Sequence, residues 1–440
     1  MAGTTEMTLR QRVRANRHAV ALLPGGDRFE DFYDKIAVTL GTHLRNQTGG
    51  WLFNYVEALA RADCDTVIIY MSARVRAAER FRHEPTGCRI SVLPSPWLHR
   101  KLRAARWRYA PSSRLLRSLE AYVATSPRAL ARELRELGCA VILCQEYESA
   151  RFDMCVLLGR LTGRPVFATY QGAQRGHSAL ETPLRRLAMR LCDGVIIGSA
   201  TERQRVRDRY RLPERMIAPI PNPFDVRRWL PGDRQRARRE LRLPPNRRIV
   251  IWHGRVQIER KGLDLLLDAW LQVCATRPDR QPLLLLVGSG RDVDVLRQRL
   301  AELPAGVVQW VEEYVHDREL MWRLLSAADI ATLPSRHEGF PVAALEAMAC
   351  ALPVVAADVS GVRDMLQAVP DTDTGIIVPP EDAATLADAL GVLVDDVELS
   401  RRLGESARLV AEQFSLEDVG LRLAHLLRRS AIVSWMPDKR

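Results

Sequence analysis

Two short apolar runs, Ile330 to Leu333 and Pro353 to Ala357, are separated by little more than the chain needed for one loop and one helix. Pro334-Ser335-Arg336-His337 breaks the first run, and Glu338-Gly339-Phe340-Pro341 opens a helix over Val342 to Cys350. Proline is tolerated at a helix start because the first N–H groups have no intrahelical acceptor. Two buried strands joined so tightly form a parallel crossover unit, with the loop at the carboxyl end of the first strand. Ligands of open α/β sheets bind at that edge. The free amides of residues 339–342 face it and favour an anionic or hydroxyl-rich group.

Glu338 and Glu346 bracket this helix eight residues apart. At 1.5 Å of rise per residue they stand roughly 12 Å apart along the axis. Paired glycosidase carboxylates sit about 5–10 Å apart, so this pair does not flank one anomeric carbon. It suits two hydroxyl-bearing ends of one elongated ligand. The plain alternative is two solvated glutamates on an exposed face. Glu338 lies at the loop and Glu346 inside Ala344-Leu345-Glu346-Ala347-Met348-Ala349, which weighs against that alternative.

The same strand–helix alternation fills the second half of the chain. Strands are predicted at Ile249–Trp252, Leu283–Val287, Val307–Val311, Ile330–Leu333 and Gly375–Val378, and helices between and after them. Such alternation gives a doubly wound parallel sheet. Further buried strands are predicted in the first half at His18–Leu23, Thr66–Met71, Arg89–Leu93, Cys139–Cys144, Pro165–Thr169 and Gly194–Ser199. Residues 227–247 are dense in Arg, Pro and Asp, as a linker would be, with room for a short helix from Arg236 to Leu243.

At 440 residues the chain exceeds what one core usually serves, and 47% hydrophobic content supplies two. No run approaches 18 uncharged apolar residues, so no transmembrane helix is expected. Residues 1–17 read as a basic tail without a signal-peptide core. The eight cysteines form no CxxC pair and mostly sit in apolar runs, as small buried hydrophobes of a reducing compartment do. A cytoplasmic protein is expected. The net charge of +12 comes mainly from arginine, yet no nucleic-acid module or aromatic–basic interleave accompanies it. An anionic membrane surface or a phosphorylated substrate is the better partner.

Several loops carry candidate site residues. Gly49-Gly50 precedes a helix from Trp51, either as a plain turn or as a close backbone approach to phosphate. The stretch 97–117 sets Arg or Lys at seven positions beside Trp97, Trp107 and Tyr109. It is either a solvated basic face, an interfacial helix at anionic lipid or a patch for a phosphate-bearing acceptor. Glu146 and Glu148 follow a strand and serve as acceptor ligands or as a polar rim. His253-Gly254-Arg255 follows the strand at Ile249, and Lys261 opens the next helix; a glycine and two cations beyond a strand end suit a diphosphate. Val287-Gly288-Ser289-Gly290 is a second glycine turn of this kind.

The run Glu338 to Gly361, EGFPVAALEAMACALPVVAADVSG, resembles the Glu-x7-Glu signature of retaining glycosyltransferases of family 4, which have the GT-B fold. The likeness is strong from about Arg248 to Phe414 and weaker before it. It implies an α/β protein of two Rossmann-like doubly wound parallel-sheet domains facing across a cleft. Residues 18–225 would bind the acceptor, 226–247 link, 248–414 bind the nucleotide sugar, and 415–440 cross back as a helix. The resemblance gives Glu338 the donor sugar hydroxyls, Glu346 the ribose, and Arg255 and Lys261 the diphosphate. Gly49, Gly50, Gly254, Gly288, Gly339, Phe340, Pro341 and Val342 fall to the donor side. Gln171 stands where many members have a histidine beside the sugar; it cannot act as a base, and His177 is the nearby substitute. Two further departures are Ala351 and Ser360, where glycine is usual.

The implied reaction moves a hexose from a nucleoside-diphosphate sugar to a hydroxyl of a glycan, lipid or small molecule. Charge builds on the leaving phosphate, so fixed cations and helix amides are the main lever. No Asp-x-Asp suited to a metal at the sugar diphosphate stands out, since Asp371-x-Asp373 lies elsewhere. Metal-independent, front-face transfer with retention is expected, with no cofactor beyond the nucleotide sugar. The alternatives are a phosphorylase or epimerase of this architecture, or a binding relative without turnover.

Overall fold

Alternate residues along the central strands feed different cores, as a period of two requires. In β1 (Ala19–Leu23), Ala19, Ala21 and Leu23 join one buried cluster, while Val20 and Leu22 join another. The strand is buried on both faces, which is why it reads as an unbroken apolar run. The computed structural model describes residues 19–34, 38–45, 50–109, 112–172, 178–313, 315 and 317–435. Segment 1–17, Gly49 and His177 lie outside the described residues.

The first sheet adds β2 (Thr66–Ser72), β3 (Glu79–Arg82), β4 (Arg89–Pro94), β5 (Cys139–Cys144), β6 (Val166–Thr169), β7 (Gly194–Ile196) and β8 (Ile217–Ala218). Their order is β3-β4-β2-β1-β5-β6-β7-β8. All pairs are parallel except β3–β4, which is antiparallel; β3 is an edge strand that the sequence did not predict. β3 reads Glu-Arg-Phe-Arg and is mostly exposed, so it lacked the apolar signal and guards the edge with charge. The order reverses direction between β1 and β5, the switch point of this sheet.

Helices cover both faces. α1 (Gly50–Arg61) lies on one side, its Phe53, Val56 and Leu59 in the cluster of Val20 and Leu22. After β4 come α2 (Trp97–Tyr109), α3 (Arg114–Tyr122) and α4 (Pro127–Glu136), and later α5 (Ala150–Thr162), α6 (Glu181–Leu191) and α7 (Ala200–Tyr210). Leu130, Phe152, Met189 and Val206, one from each of α4 to α7, share the opposite cluster. Ser126 caps α4 by accepting from Ala129 N, with Pro127 at its first turn.

The second sheet holds β9 (Ile249–His253), β10 (Leu283–Val287), β11 (Val308–Val311), β12 (Ile330–Leu333), β13 (Val354–Ala357) and β14 (Gly375–Val378), in the order β11-β10-β9-β12-β13-β14. Every pair is parallel, and the switch point lies between β9 and β12. Residues 226–247 are folded onto this domain: Trp229, Ala237 and Leu243 join its core, and α8 (Arg234–Leu241) spans part of the segment. Asp329 clamps it there, accepting from Arg238 Nη2 at 2.6 Å and from Arg248 Nη1 at 2.9 Å.

α9 (Leu263–Thr276) follows β9, α10 (Arg318–Ala327) precedes β12 and α11 (Val342–Ala349) follows it. Phe224 N donates to Phe414 O at 2.8 Å, so the two chain crossings between domains run side by side. α12 (Leu416–Trp435) then packs Val419, Leu423 and Leu427 against the first domain beside α1. Arg428 Nη2 donates to Ala62 O at 2.6 Å, fastening that return.

Candidate active site

Both switch points open on the same gap, and the second-domain wall is the more tightly built. Gly254, after β9, and Gly288, after β10, take φ values of 154° and 145°, and a Cβ on Gly288 would collide with the Gly254 carbonyl. Gly262, between Lys261 and α9, has φ 63° and no room for a Cβ against Pro334 O. The end of the Ile258–Lys261 turn is thereby pressed onto the loop after β12. Lys261 Nζ donates to Glu338 Oε1 at 2.6 Å, and Ser335 Oγ donates to the same oxygen at 2.7 Å. Glu338 is only 8% exposed. Arg255 reaches the other way, its guanidinium carbon 5.7 Å from the Phe32 ring centroid of the first domain.

Beyond Glu338 the chain turns into α11. Pro341 is the cap residue and supplies no side-chain acceptor, so the first-turn amides keep their hydrogen-bonding capacity for a ligand. The Phe340 side chain is committed elsewhere, buried 5.4 Å from Phe414 and against Gly198 of the first domain. One turn into α11, burial pushes the Glu346 carboxyl up to about 8, an effect the Arg318 guanidinium partly offsets. Burial holds His253 down to about 4, against a hydrogen bond with Ala343 O. His253 Nε2 and Glu346 Oε2 are 3.7 Å apart, but at neutral pH both groups favour their uncharged forms, so their approach is not an ion pair.

The first-domain wall is a polar network. Gln171 Nε2 lies 2.9 Å from Thr169 Oγ1 and 3.2 Å from both Gln145 Oε1 and Asn222 Oδ1, while Asn222 Nδ2 donates to Gln171 Oε1 at 3.1 Å. Tyr55 OH donates to Asn222 Oδ1 at 2.8 Å, tying α1 to the turn that leaves the domain. Glu146 accepts from Gln171 N at 3.2 Å and from Glu148 N at 3.0 Å. Gly50 begins α1, the helix that carries Tyr55.

The walls touch backbone to backbone. A Cβ on Gly339 would lie 2.5 Å from Gly172 N, so neither loop tolerates a side chain there. Arg260 Nη2 donates to Gly172 O at 3.4 Å. Ser360, where glycine is usual in the resembling family, shares a 2.8 Å hydrogen bond with Ser199 Oγ of the first domain. Asp364 accepts from Ala200 N at 2.8 Å beside it. Thus Lys261 and Glu338 meet directly, Gln171 adjoins their loop through Gly172, and Arg255 lines the gap opposite Phe32. Tyr55, Asn222 and Asp364 were not identified from the sequence as parts of this region.

Among the described residues, Asp27, His99 and Glu120 bring ligand-type atoms within 4.8 Å of one another. Glu120 already accepts from Arg106 Nε at 2.6 Å and Arg103 Nη1 at 3.1 Å, which leaves little net negative charge for a cation.

Two facing parallel-sheet domains with a cation–carboxylate pair at one switch point define the GT-B class of α/β proteins. Residues 247–396 match the family described as "Glycosyl transferases group 1", and residues 51–228 match "Glycosyltransferase Family 4". The chain belongs to glycosyltransferase family 4. It is 35% identical over 229 residues to a D-inositol 3-phosphate glycosyltransferase of Nocardia farcinica, covering 51% of this chain and 49% of that one. It is 33% identical over 220 residues to a GDP-mannose-dependent monoacylated alpha-(1-6)-phosphatidylinositol monomannoside mannosyltransferase of Corynebacterium glutamicum, covering 48% and 55%. The chain thus spans about half the length of the curated relatives it matches. The fold is shared with sucrose-phosphate synthase from Thermosynechococcus elongatus, at a TM-score of 0.68 and 22% identity over 94% of this chain and 99% of that one. HepE from Anabaena in complex with UDP-glucose gives 0.67 and 18% over 94% and 100%.

Proposed function

We propose that the protein transfers a hexose from a nucleoside-diphosphate sugar to an acceptor hydroxyl, with retained configuration and without a metal ion. The observation that carries this reading is the Lys261–Glu338 contact of 2.6 Å at the second switch point, beside the uncapped start of α11. On donor binding, Lys261 turns to the diphosphate together with Arg255 and the amides of residues 339–342. Glu338, already fixed by Ser335, then accepts from sugar hydroxyls, and Glu346 meets the ribose. The C1–O bond to phosphate breaks, the acceptor oxygen bonds to C1 on the same face, and its proton passes to the departing phosphate oxygen. Fixed positive charge where the phosphate charge grows supplies most of the stabilisation. Gln171, bound on every side and without a proton to exchange, positions this wall. His177 on the acceptor side and Gly49 on the donor side, both outside the described residues, complete the proposal.

Residues 18–225 bind the acceptor, 248–414 the donor, and 415–440 close the first domain from behind. α2 offers one basic, aromatic face of the first domain to an anionic membrane or a phosphate-bearing acceptor. Its Trp97 and Trp107 are 62% and 61% exposed, and Lys101 stacks over Trp97. Arg103 and Arg106 turn inward to Glu120, so Arg100, Lys101 and Arg108 form the basic face. Among the described residues no helix is long and apolar enough to cross a membrane. The reading places the protein in the cytoplasm, peripheral to the membrane.

The test is nucleoside-diphosphate release with an acceptor present, followed by the anomeric configuration of the product by NMR. Retained configuration and activity unaffected by EDTA are expected. An inverted product, or activity lost to EDTA and restored by Mn²⁺, would overturn the mechanism.

A further inference from the structure

The outer surface of the first domain carries a second feature, on the far side of α5 and α6 from the sheet. Among the described residues up to 225, every strongly exposed large apolar side chain lies on α2, α3, α5 or α6. On α5 these are Leu157 and Leu161, 55% and 76% exposed and one helical turn apart. On α6, which packs beside α5, they are Leu184, Leu187 and Leu191, spaced along one face. Scattered exposed leucines are ordinary; five on two adjoining helices make a patch.

The far flank of α6 is cationic. Arg186 and Arg190 of α6, with Arg209 and Arg211 at the end of α7, line a cavity of about 280 Å³. Asp208 is the carboxylate in that lining, and it accepts from Gln204 Nε2 at 2.9 Å. Among the described residues, no carboxylate lies within salt-bridge distance of Arg186, Arg190 or Arg211, although arginines elsewhere are extensively paired. Tyr210, 3% exposed, also lines the cavity, and its hydroxyl has no hydrogen-bond partner. The cavity is remote from the cleft. α7 starts at the carboxyl end of β7, and α6 ends where β7 begins, so their last turns lie at the opposite edge of the sheet.

We infer that the α5–α6 face docks on an anionic phospholipid bilayer, its leucines entering the acyl boundary and the four-arginine cavity receiving a lipid phosphate. The guanidiniums of Arg186, Arg190 and Arg211, without a carboxylate in reach, can recognise phosphate by paired N–H donors, and an adjoining apolar stripe suits the region just below the headgroup. A second copy of the chain fits worse, because it would bring arginines against arginines. Nucleic acid would leave the leucines without a function. The docking face is distinct from α2 and stands whether or not the transferase reading does.

The test is co-sedimentation with vesicles of phosphatidylcholine alone and of phosphatidylcholine with phosphatidylglycerol, leaving α2 intact throughout. Wild type should bind the anionic vesicles and not the neutral ones. Arg186→Gln with Arg190→Gln should weaken binding about 30-fold. Leu161→Asp with Leu187→Asp should weaken it at least tenfold, while circular dichroism and turnover on a soluble acceptor stay as in wild type. A fluorophore on Leu187→Cys, selective because the native cysteines are buried or partly buried, should shift to the blue only with anionic vesicles. Vesicle binding unchanged in both double variants would overturn the inference. So would leucine variants that alter only the sedimentation coefficient, which would mark a dimer face. Binding of inorganic phosphate at the arginines with vesicles ignored would reassign the cavity to a free anion and refute the lipid assignment.

Discussion

On the second-domain wall of the cleft, Lys261 and Glu338 are held by backbone: Gly262 against Pro334, Gly288 against Gly254, Gly339 against Gly172. On the first-domain wall, Gln171 is held by the side chains of Asn222, Thr169 and Gln145, with Tyr55 behind Asn222, while Glu146 accepts from the N–H groups of Gln171 and Glu148. Backbone contacts leave few conformations, which is what the proposed donor wall needs if its groups are to meet a diphosphate at fixed positions. A network of amides and hydroxyls can be rebuilt with other polar residues, which suits the proposed acceptor wall. The contrast also explains how a glutamine can occupy a position that is often histidine in the resembling family. In the proposed mechanism its side chain completes four contacts, to Thr169, Gln145 and twice to Asn222, rather than moving a proton.

The sharpest way to break this contrast is to remove charge from the rigid wall. Lys261→Ala and Glu338→Ala should each lower turnover more than 100-fold in a steady-state assay, the scale seen when a fixed transition-state contact is deleted. Gln171→Ala should act mainly on stability, costing about 1–3 kcal/mol in denaturant unfolding because Asn222 and Thr169 lose a partner. If the Gln171 variant instead matched the Lys261 variant in lost turnover at full stability, the division of labour between the walls would not hold.

The pH dependence of stability sharpens the picture on the donor side. Glu346, raised from 4.5 to about 8, holds a proton in the fold that the unfolded chain has released. Its contribution therefore makes stability fall as pH rises between those values. His253, lowered from 6.5 to about 4, acts in the opposite sense, stability rising with pH between about 4 and 6.5. Glu346→Gln should remove the decline above pH 6.5 in thermal melts; a decline that persists would place its source elsewhere. The smallest expected effect concerns Ala351, which follows α11 at φ 59°. Glycine takes that conformation without the Cβ penalty, so Ala351→Gly should stabilise by about 1 kcal/mol.

The rigid wall was the more legible in sequence, for the same physical reason that it is rigid. Strands buried on both faces read as continuous apolar runs, and Leu283–Val287 and Ile330–Leu333 of the second sheet stand within the predicted bounds, as Cys139–Cys144 of the first sheet also does. Lys261 and Glu338 lie in the glycine-bearing segments after β9 and β12, so their place near a sheet edge could be read locally. Tyr55 and Gln171 are 167 and 51 residues from Asn222 along the chain, and nothing local announces that they meet. The edge strand β3 was missed because Glu-Arg-Phe-Arg has no apolar alternation to follow. The helix α4 did carry a signal, Ser126-Pro127 before Leu130 and Leu134, that went unread.

Isothermal titration of a nucleoside diphosphate and of its sugar conjugate into wild type, Lys261→Ala and Glu338→Ala tests the donor wall most directly. Lys261→Ala should lose affinity for both ligands. Glu338→Ala should keep the diphosphate and lose only the extra affinity that the sugar brings. Equal affinities across all three proteins would mean that the Lys261–Glu338 pair does not hold the donor, and the assignment of this cleft would be wrong.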